Sequence, residues 1–283
     1  MGLRKTIKEY LQDKVPNHIL EDIPSSFDIL GSREKSVALI EIPEEVEGYD
    51  HLIAEAIMEV HKNVESVLSK ESGRQGEYRL RELEVIAGNP NTEVIHKESG
   101  CRFKLDPMDT YFSTRESTER ERITNKVISG EDILVMFSGV GPFAVCIAKN
   151  HPTVKITCIE INPKAHNYCL ENIKLNKIQD QVTPILGDVR EICPQMDKKF
   201  DRVLMPLPKG ASEFLDIAVP MVKNSGILHF YHWAHEDDLW SEAEKLVREE
   251  ANKHDKKVEF IDHQEVSLYS PRVYKIRVDG LLY

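Results

Sequence analysis

No apolar run in these 283 residues approaches the roughly 18 that a membrane-spanning helix needs. The start, MGLRKTIKEYLQDK, is charged and has no apolar core, so no signal peptide is expected. The five cysteines (Cys101, Cys146, Cys158, Cys169, Cys193) show neither a C-x-x-C pair nor a paired histidine spacing, and are expected as buried thiols in a reducing cytosol. None of the eleven histidines falls in an i, i+4 metal-binding motif, so no metal is expected and no histidine is given a catalytic role. Positive charge is also short. Lys and Arg total 37 against 48 Asp and Glu, a net charge of -11 with a pI near 5.5, which excludes a surface coated for nonspecific nucleic-acid binding. RNA remains open as a substrate, provided the basic residues are gathered locally. Repeats and low-complexity segments are absent.

What is there is organised around Ile133 to Lys149, ILVMFSGVGPFAVCIAK. An apolar run, Ile133 to Phe137, breaks into the turn Ser138-Gly139-Val140-Gly141-Pro142, and an apolar helical pattern follows. Gly139 and Gly141 allow positive φ and close approach of a ligand to the main chain. Pro142 suits a first helical position. About twenty residues further on, the run ITCIEIN carries Glu160 at its end, where a carboxylate can bond a ribose diol. The turn lacks a full G-x-G-x-x-G and the lysine of a P-loop, which weakens dinucleotide and ATP readings and favours another nucleoside cofactor.

The first hundred residues read as a small α+β unit. They comprise a short helix over Leu3 to Leu11, strands in SFDILG and SVALIEIP, one helical face from Tyr49 to Ser69, and strands over Arg81–Ala87, Glu93–Lys97 and Cys101–Leu105. A charged helix over Thr118–Lys126, capped by Ser117 or Thr118, precedes the glycine turn. Strands and helices then alternate: Lys155–Glu160, helix Pro163–Leu175, Val182–Leu186, Phe200–Met205, helix Ala211–Val222, Ile227–Tyr231, helix Glu236–His254. Val258–Leu268 and Arg272–Val278 close as an antiparallel pair. The fold class predicted is α/β, a Rossmann-like domain with a mostly parallel seven-stranded sheet as in class I methyltransferases, preceded by a small α+β domain. The domains expected are residues 1–105 and 106–283.

Ligands in such sheets bind beyond the carboxyl ends of the strands. The loops there carry Ser138–Gly141, Glu160-Ile161, Asp188-Val189 and Pro206-Leu207-Pro208-Lys209. Acids at the second and third strands, for the ribose and for an adenine amino group, together suggest S-adenosylmethionine. Asp188 can equally be the N-cap of a short helix, and Pro206-x-Pro208 either a rigid ledge for a base or only a stiff loop. The densest mixture of aromatic, basic and acidic residues is DPMDTYFSTRESTERERI, Asp106 to Ile123, where spacing alone leaves function and a solvated helix face equally open.

With these residues in view, the chain resembles the archaeal and eukaryotic tRNA (guanine-37-N1)-methyltransferase family. The stretches that carry the resemblance are GEYRLRELEVIAG, TEVIHKESGCRFKLD, YFSTRESTERERI, MFSGVGPF, INPKAHNYCLENIKLN, VTPILGDVRE, DRVLMPLPKGASEFLD, GILHFYHW and YSPRVYKIRV. It implies an RNA-contacting N-terminal domain, S-adenosylmethionine as cofactor, and methyl transfer to guanosine 37 beside the anticodon of a tRNA bound through its anticodon stem-loop. It further implies a cytoplasmic monomer without membrane association, in a short form that lacks the N-terminal elbow-binding module. Glu119 matches the family's general base and Arg79 the arginine near guanine O6. Tyr111, Arg120, Phe137, Glu160, Ile161, Asp188 and Val189 match positions around the cofactor, with Gly139 and Gly141 in the loop. Pro208 matches the proline of the N-x-P loop, where Pro206 stands in place of the usual asparagine; Val135 likewise replaces a first-strand acid. The Pro206 departure keeps a second reading alive, a wyosine-pathway reaction at the same nucleotide by aminocarboxypropyl transfer or carbon methylation. A noncatalytic tRNA binder would have let Gly139, Gly141, Glu160 and Asp188 decay, and a small-molecule methyltransferase would not need the N-terminal unit.

Overall fold

The computed structural model describes residues 6–73, 76, 78, 80–207 and 209–283. They divide into two compact units, Met1–Thr114 and Arg115–Tyr283.

In the first unit, α1 (Ile7–Leu11) opens on a capping box in which Thr6 and Glu9 exchange side-chain and backbone hydrogen bonds. Helix α2 (Asn17–Asp22) follows, then β1 (Asp28–Gly31) and β2 (Ser36–Ile40), antiparallel neighbours. The helical face expected from Tyr49 to Ser69 is two elements. Helix α3 (Asp50–Val60) ends at His61, and Val64–Lys70 is strand β3, parallel to β2. Two interactions divert the chain. The Asn63 side chain donates to Ser32 O (3.0 Å) and Ser36 Oγ (2.9 Å), which lays the next residues beside β2. There the β-branched Val64 and Val67 are buried on a pleated surface. Strand β4 (Leu83–Gly88) completes a sheet of order β1-β2-β3-β4. Strands β5 (Val94–Glu98) and β6 (Cys101–Leu105) form a hairpin whose turn residues, Ser99 (φ 45°) and Gly100 (φ 74°), both take positive φ, as a two-residue type I′ turn requires.

The second unit begins with α4 (Ser117–Lys126). Neither Ser117 nor Thr118 caps it. The helix is entered from Glu116 without a side-chain cap, and the Glu116 carboxylate is drawn instead to Lys275 at 2.9 Å. Then come β7 (Asp132–Val135), α5 (Pro142–Asn150), β8 (Lys155–Glu160), α6 (Pro163–Asn176), β9 (Val182–Leu186), α7 (Val189–Ile192), β10 (Phe200–Met205), α8 (Leu215–Met221), β11 (Val222–His235), α9 (Ser241–Lys253), β12 (Val258–Ser270) and β13 (Val273–Leu282). The helix expected from Glu236 starts at Ser241. Strand β11 consumes residues up to His235, and Asp238 Oδ1 accepts from the Trp240 and Ser241 amides in the turn between. The seven strands have the order β12-β13-β11-β10-β7-β8-β9, parallel from β11 to β9 and antiparallel at β13 and β12. Strand order reverses between β7 and β10, so the crevice beyond their carboxyl ends is where a ligand is expected.

The two faces of β11 and β13 differ in kind. Leu228, Phe230, Ile276 and Val278 join the apolar core with residues of α8 and α9. His229, Tyr231, Arg277 and Asp279 lie on the opposite face and are buried as well.

Candidate functional site

Strand β7 ends in a loop that its neighbours pin. Met136 N donates to Leu204 O (2.9 Å) and Ser138 N to Ile159 O (2.9 Å), so the chain stays in register between β10 and β8 to the last residue before the glycines. Phe137 takes φ 57°, a left-handed conformation that is strained for a residue with a Cβ, and its ring packs edge-on against Phe214 at 4.8 Å. Gly139 (φ 56°) and Gly141 (φ 84°) continue the turn, and Pro142 is the first residue of α5. Gly141 has a second reason to be glycine: a Cβ there would lie 2.8 Å from Cys169 Sγ of α6. From the same helix Asn172 Nδ2 donates to Val140 O (3.0 Å). The Ser138 hydroxyl is buried and has no hydrogen-bond partner among the described residues.

Glu160, at the end of β8, holds this loop from the side. Oε2 accepts from Gly139 N at 2.6 Å and Oε1 from Asn162 N at 2.8 Å. Burial pushes the carboxyl up from its ordinary range, while the Asn162, Gly139 and Ile161 amides pull the other way. Each oxygen keeps a lone pair for a further donor. Asp188, after β9, N-caps α7 by accepting from Arg190 N at 2.8 Å, so its capping role is realised; the opposite carboxylate oxygen remains for another partner. Val189 is buried in the core, and Leu207 packs against that core while its amide donates to Met205 O at 2.7 Å.

A second constellation lies under α4. Glu119 is 1% exposed. Its Oε1 accepts from Tyr231 OH (2.7 Å) and from Arg277 Nη1, whereas Oε2 has no hydrogen-bond partner among the described residues and Arg122 Nη1 stands 3.7 Å away. Arg277 also donates from Nε to Asp279 Oδ1 (2.7 Å) and from Nη2 to Asp262 Oδ2 (2.9 Å). Behind Asp279 stands His229, with Nδ1 2.6 Å from Asp279 Oδ1 and Nε2 2.6 Å from Arg202 Nη1. A carboxylate on one nitrogen and a guanidinium donor on the other assign the Nδ1–H tautomer. Arg202 finishes the series with bonds to both oxygens of Glu131, each 2.8 Å. Burial holds His229 below its ordinary value against the pull of Asp279. Burial alone would raise Asp279, but His229, Arg277 and Lys126 hold it well below the carboxylate range. Burial and the Glu119 charge push Tyr231 well above the phenol range.

The loops after β7, β8, β9 and β10 thus gather Phe137, Gly139, Gly141, Glu160, Ile161, Asp188, Val189 and Pro206 at one edge of the sheet. Met205 is level with Phe230, which puts Tyr231, and with it Glu119, at that same edge. Arg120 is buried on α4, its carbonyl accepting from Thr124 Oγ1 (2.7 Å). Tyr111 belongs to the first unit and is 37% exposed. Arg79 and Pro208 lie outside the described residues. Spacing did not reveal Tyr231, Arg277, Asp279 or His229. Their one signal is the alternation of polar with apolar residues in the short stretches HFY and IRVD.

Comparison with known proteins gives these features a context. Residues 94–259 match the TRM5/TYW2 methyltransferase domain, and residues 7–92 the TYW2 N-terminal domain. A tRNA (guanine(37)-N(1))-methyltransferase, Trm5b of Pyrococcus abyssi, is 46% identical over 265 residues, 94% of this chain and 77% of the relative. Among solved structures, a complex of aTrm5 with tRNALeu superposes with a TM-score of 0.84 at 35% identity, covering 99% of this chain and 79% of the other. P. horikoshii TYW2 in complex with MeSAdo gives 0.82 at 27% identity, covering 98% of both.

Proposed function

The chain belongs to the TRM5/TYW2 methyltransferase family, and on that premise we propose that it transfers the methyl group of S-adenosylmethionine to N1 of guanosine 37 in tRNA. The observation that carries the choice within the family is the 46% identity, across 94% of the chain, to a relative that methylates this nitrogen. Wyosine-type relatives are more distant: an aminocarboxypropyltransferase of Methanocaldococcus jannaschii is 32% identical over 72% of the chain.

The residues fit the cofactor. Glu160 offers a carboxylate already fixed by two backbone amides, Asp188 a second beyond the next strand, and the buried Ser138 hydroxyl is a polar atom in the glycine loop that a bound polar ligand would satisfy. Phe137, Gly139, Gly141, Ile161, Val189 and Pro206 form the rest of the pocket, with Tyr111, Arg120 and Pro208 assigned to it by resemblance. When bound, the cofactor supplies an electrophilic methyl on a sulfonium. What the protein adds is alignment and control of one proton. Guanine N1 carries a proton and is a poor nucleophile until it loses it, so a carboxylate must accept that proton as the methyl arrives. Glu119 takes this role. Negative charge then develops toward O6, where the guanidinium of Arg79 is worth most in a water-poor site. The tRNA is engaged at its anticodon stem-loop, and the N-terminal unit contacts RNA.

The test is transfer to unmodified tRNA bearing guanosine 37, run in parallel with S-adenosylmethionine labelled on the methyl and on the carboxyl carbon. Methyl label recovered as 1-methylguanosine, and lost when position 37 is adenosine, supports the reading. Carboxyl label entering only tRNA that carries a wyosine precursor overturns it. Glu119→Gln is expected to bind cofactor and slow transfer by roughly a hundredfold or more; full activity would remove Glu119 from the chemistry.

A further inference from the structure

A general base needs one oxygen turned to the substrate proton and a reason for that oxygen to stay there. Glu119 has two. Oε1 already accepts from the Tyr231 hydroxyl and from Arg277, and both donors come from paired interior strands of the sheet: Tyr231 and Arg277 are direct cross-strand partners on β11 and β13. Oε2 is buried and has no hydrogen bond among the described residues, Arg122 Nη1 standing 3.7 Å away. Asp279 Oδ2 in the same cluster also lacks a hydrogen bond among these residues but has the Lys126 ammonium at 3.3 Å, nearer than Arg122 is to Oε2, so Oε2 is the less satisfied of the two and the one open to a further donor.

Arg277 cannot swing toward Oε2, because its other two donor positions are committed to Asp279 and Asp262. Asp279 is fixed in turn by the His229 Nδ1–H and by Lys126 at 3.3 Å. Arg202, bidentate on Glu131, holds His229. The series runs from β13 through β11 to β10, so it is anchored on three adjacent strands rather than on loops.

Resting on the general-base reading above, we propose that Arg277 and Tyr231 are positioning residues for the methyl transfer: by filling Oε1 they fix the Glu119 carboxylate plane and reserve Oε2 as the single oxygen that accepts the N1 proton. The N1–H bond breaks as Oε2–H forms, and the electron pair left on N1 takes the methyl group. Neither positioning residue touches guanine or cofactor. Both act through Glu119.

Such a role separates from a structural one by where the effect falls. Tyr231→Phe deletes one donor and keeps the ring; Arg277→Lys keeps the charge and loses the planar fork. At saturating S-adenosylmethionine, the single-turnover transfer rate should drop roughly tenfold in Tyr231→Phe and more in Arg277→Lys, with tRNA and cofactor dissociation constants within about twofold of wild type. In a Glu119→Gln background, Tyr231→Phe should change the residual rate by less than about twofold, since residues that act as a unit are not additive. Tyr231→Phe is the arm that survives if Arg277→Lys does not fold. A full transfer rate in Tyr231→Phe while Glu119→Gln is slow overturns the positioning role and spares the base. An equal loss in both backgrounds, or a loss confined to tRNA affinity, also overturns it. Full activity of Glu119→Gln removes the general-base reading and the positioning role with it.

Discussion

At the scale of single residues, Glu160 does more than its place in the sequence suggests. From its place after the glycine turn, an acid at the end of β8 is a candidate to bond a ribose diol. Its two bonds to Gly139 N and Asn162 N were not legible in the sequence, because they depend on how tightly the loop folds back. The same carboxylate would therefore shape the pocket and fill it. Glu160→Ala should weaken S-adenosylmethionine binding at least about tenfold by calorimetry, charged hydrogen bonds being worth about 1.5–3 kcal/mol each. Glu160→Gln should be nearly as weak, because its amide nitrogen must face either the Gly139 or the Asn162 N–H, donor against donor. Unchanged affinity in both variants would confine Glu160 to holding the loop.

At the scale of elements, the glycine turn shows what sequence could and could not convey. Strand, turn and helix were legible from the apolar run, the glycines and Pro142. That Gly141 must be glycine because α6 presses Cys169 against it was not, since a contact between two helices has no local signature. Gly141→Ala combines a positive φ with a Cβ 2.8 Å from Cys169 Sγ, and should destabilise by about 1–3 kcal/mol. Adding Cys169→Ala should return the steric part and leave the backbone part, so a double-mutant cycle in thermal unfolding should show clear coupling. Strict additivity would mean that the contact carries nothing. The helix read from Tyr49 to Ser69 failed for a related reason: a short apolar run fits either period, and the tertiary bonds of Asn63 decide. The face of β13 that carries Arg277 and Asp279 misleads in the other direction. Alternating charge normally marks a solvent face, yet here its partners come from α4, β11 and β12, 158 residues away in the case of Glu119.

At the scale of the whole molecule, two effects with opposite signs meet between pH 7 and 5. The net charge of -11 shrinks toward zero near the pI of 5.5, relieving self-repulsion, and this alone would raise stability on acidification. Buried His229 works against it. Its folded-state pKa is lowered, so as pH falls below about 6.5 the unfolded chain binds a proton that the native state refuses, and stability drops by up to about 1.4 kcal/mol per pH unit. Asp279 adds nothing in this window. Held below its ordinary value, it is ionised in both states until pH nears about 4, where it too begins to withdraw stability. His166, lowered by burial, contributes with the same sign as His229, whereas Glu160, raised by burial, contributes with the opposite sign as pH falls toward the carboxylate range. At about 0.15 M salt the repulsion is largely screened while the buried group is not, so the histidine should win. Both tryptophans, Trp233 and Trp240, lie in the Arg115–Tyr283 unit, and their fluorescence in urea follows that unit alone. The expected result is a transition midpoint that falls from pH 6.5 to 5 in the wild type. In His229→Gln, whose amide can donate to Asp279 and accept from Arg202 without titrating, the slope should be clearly shallower. An equal slope in both proteins would place the acid sensitivity outside the buried series, and a rising midpoint in the wild type would mean that net charge governs instead.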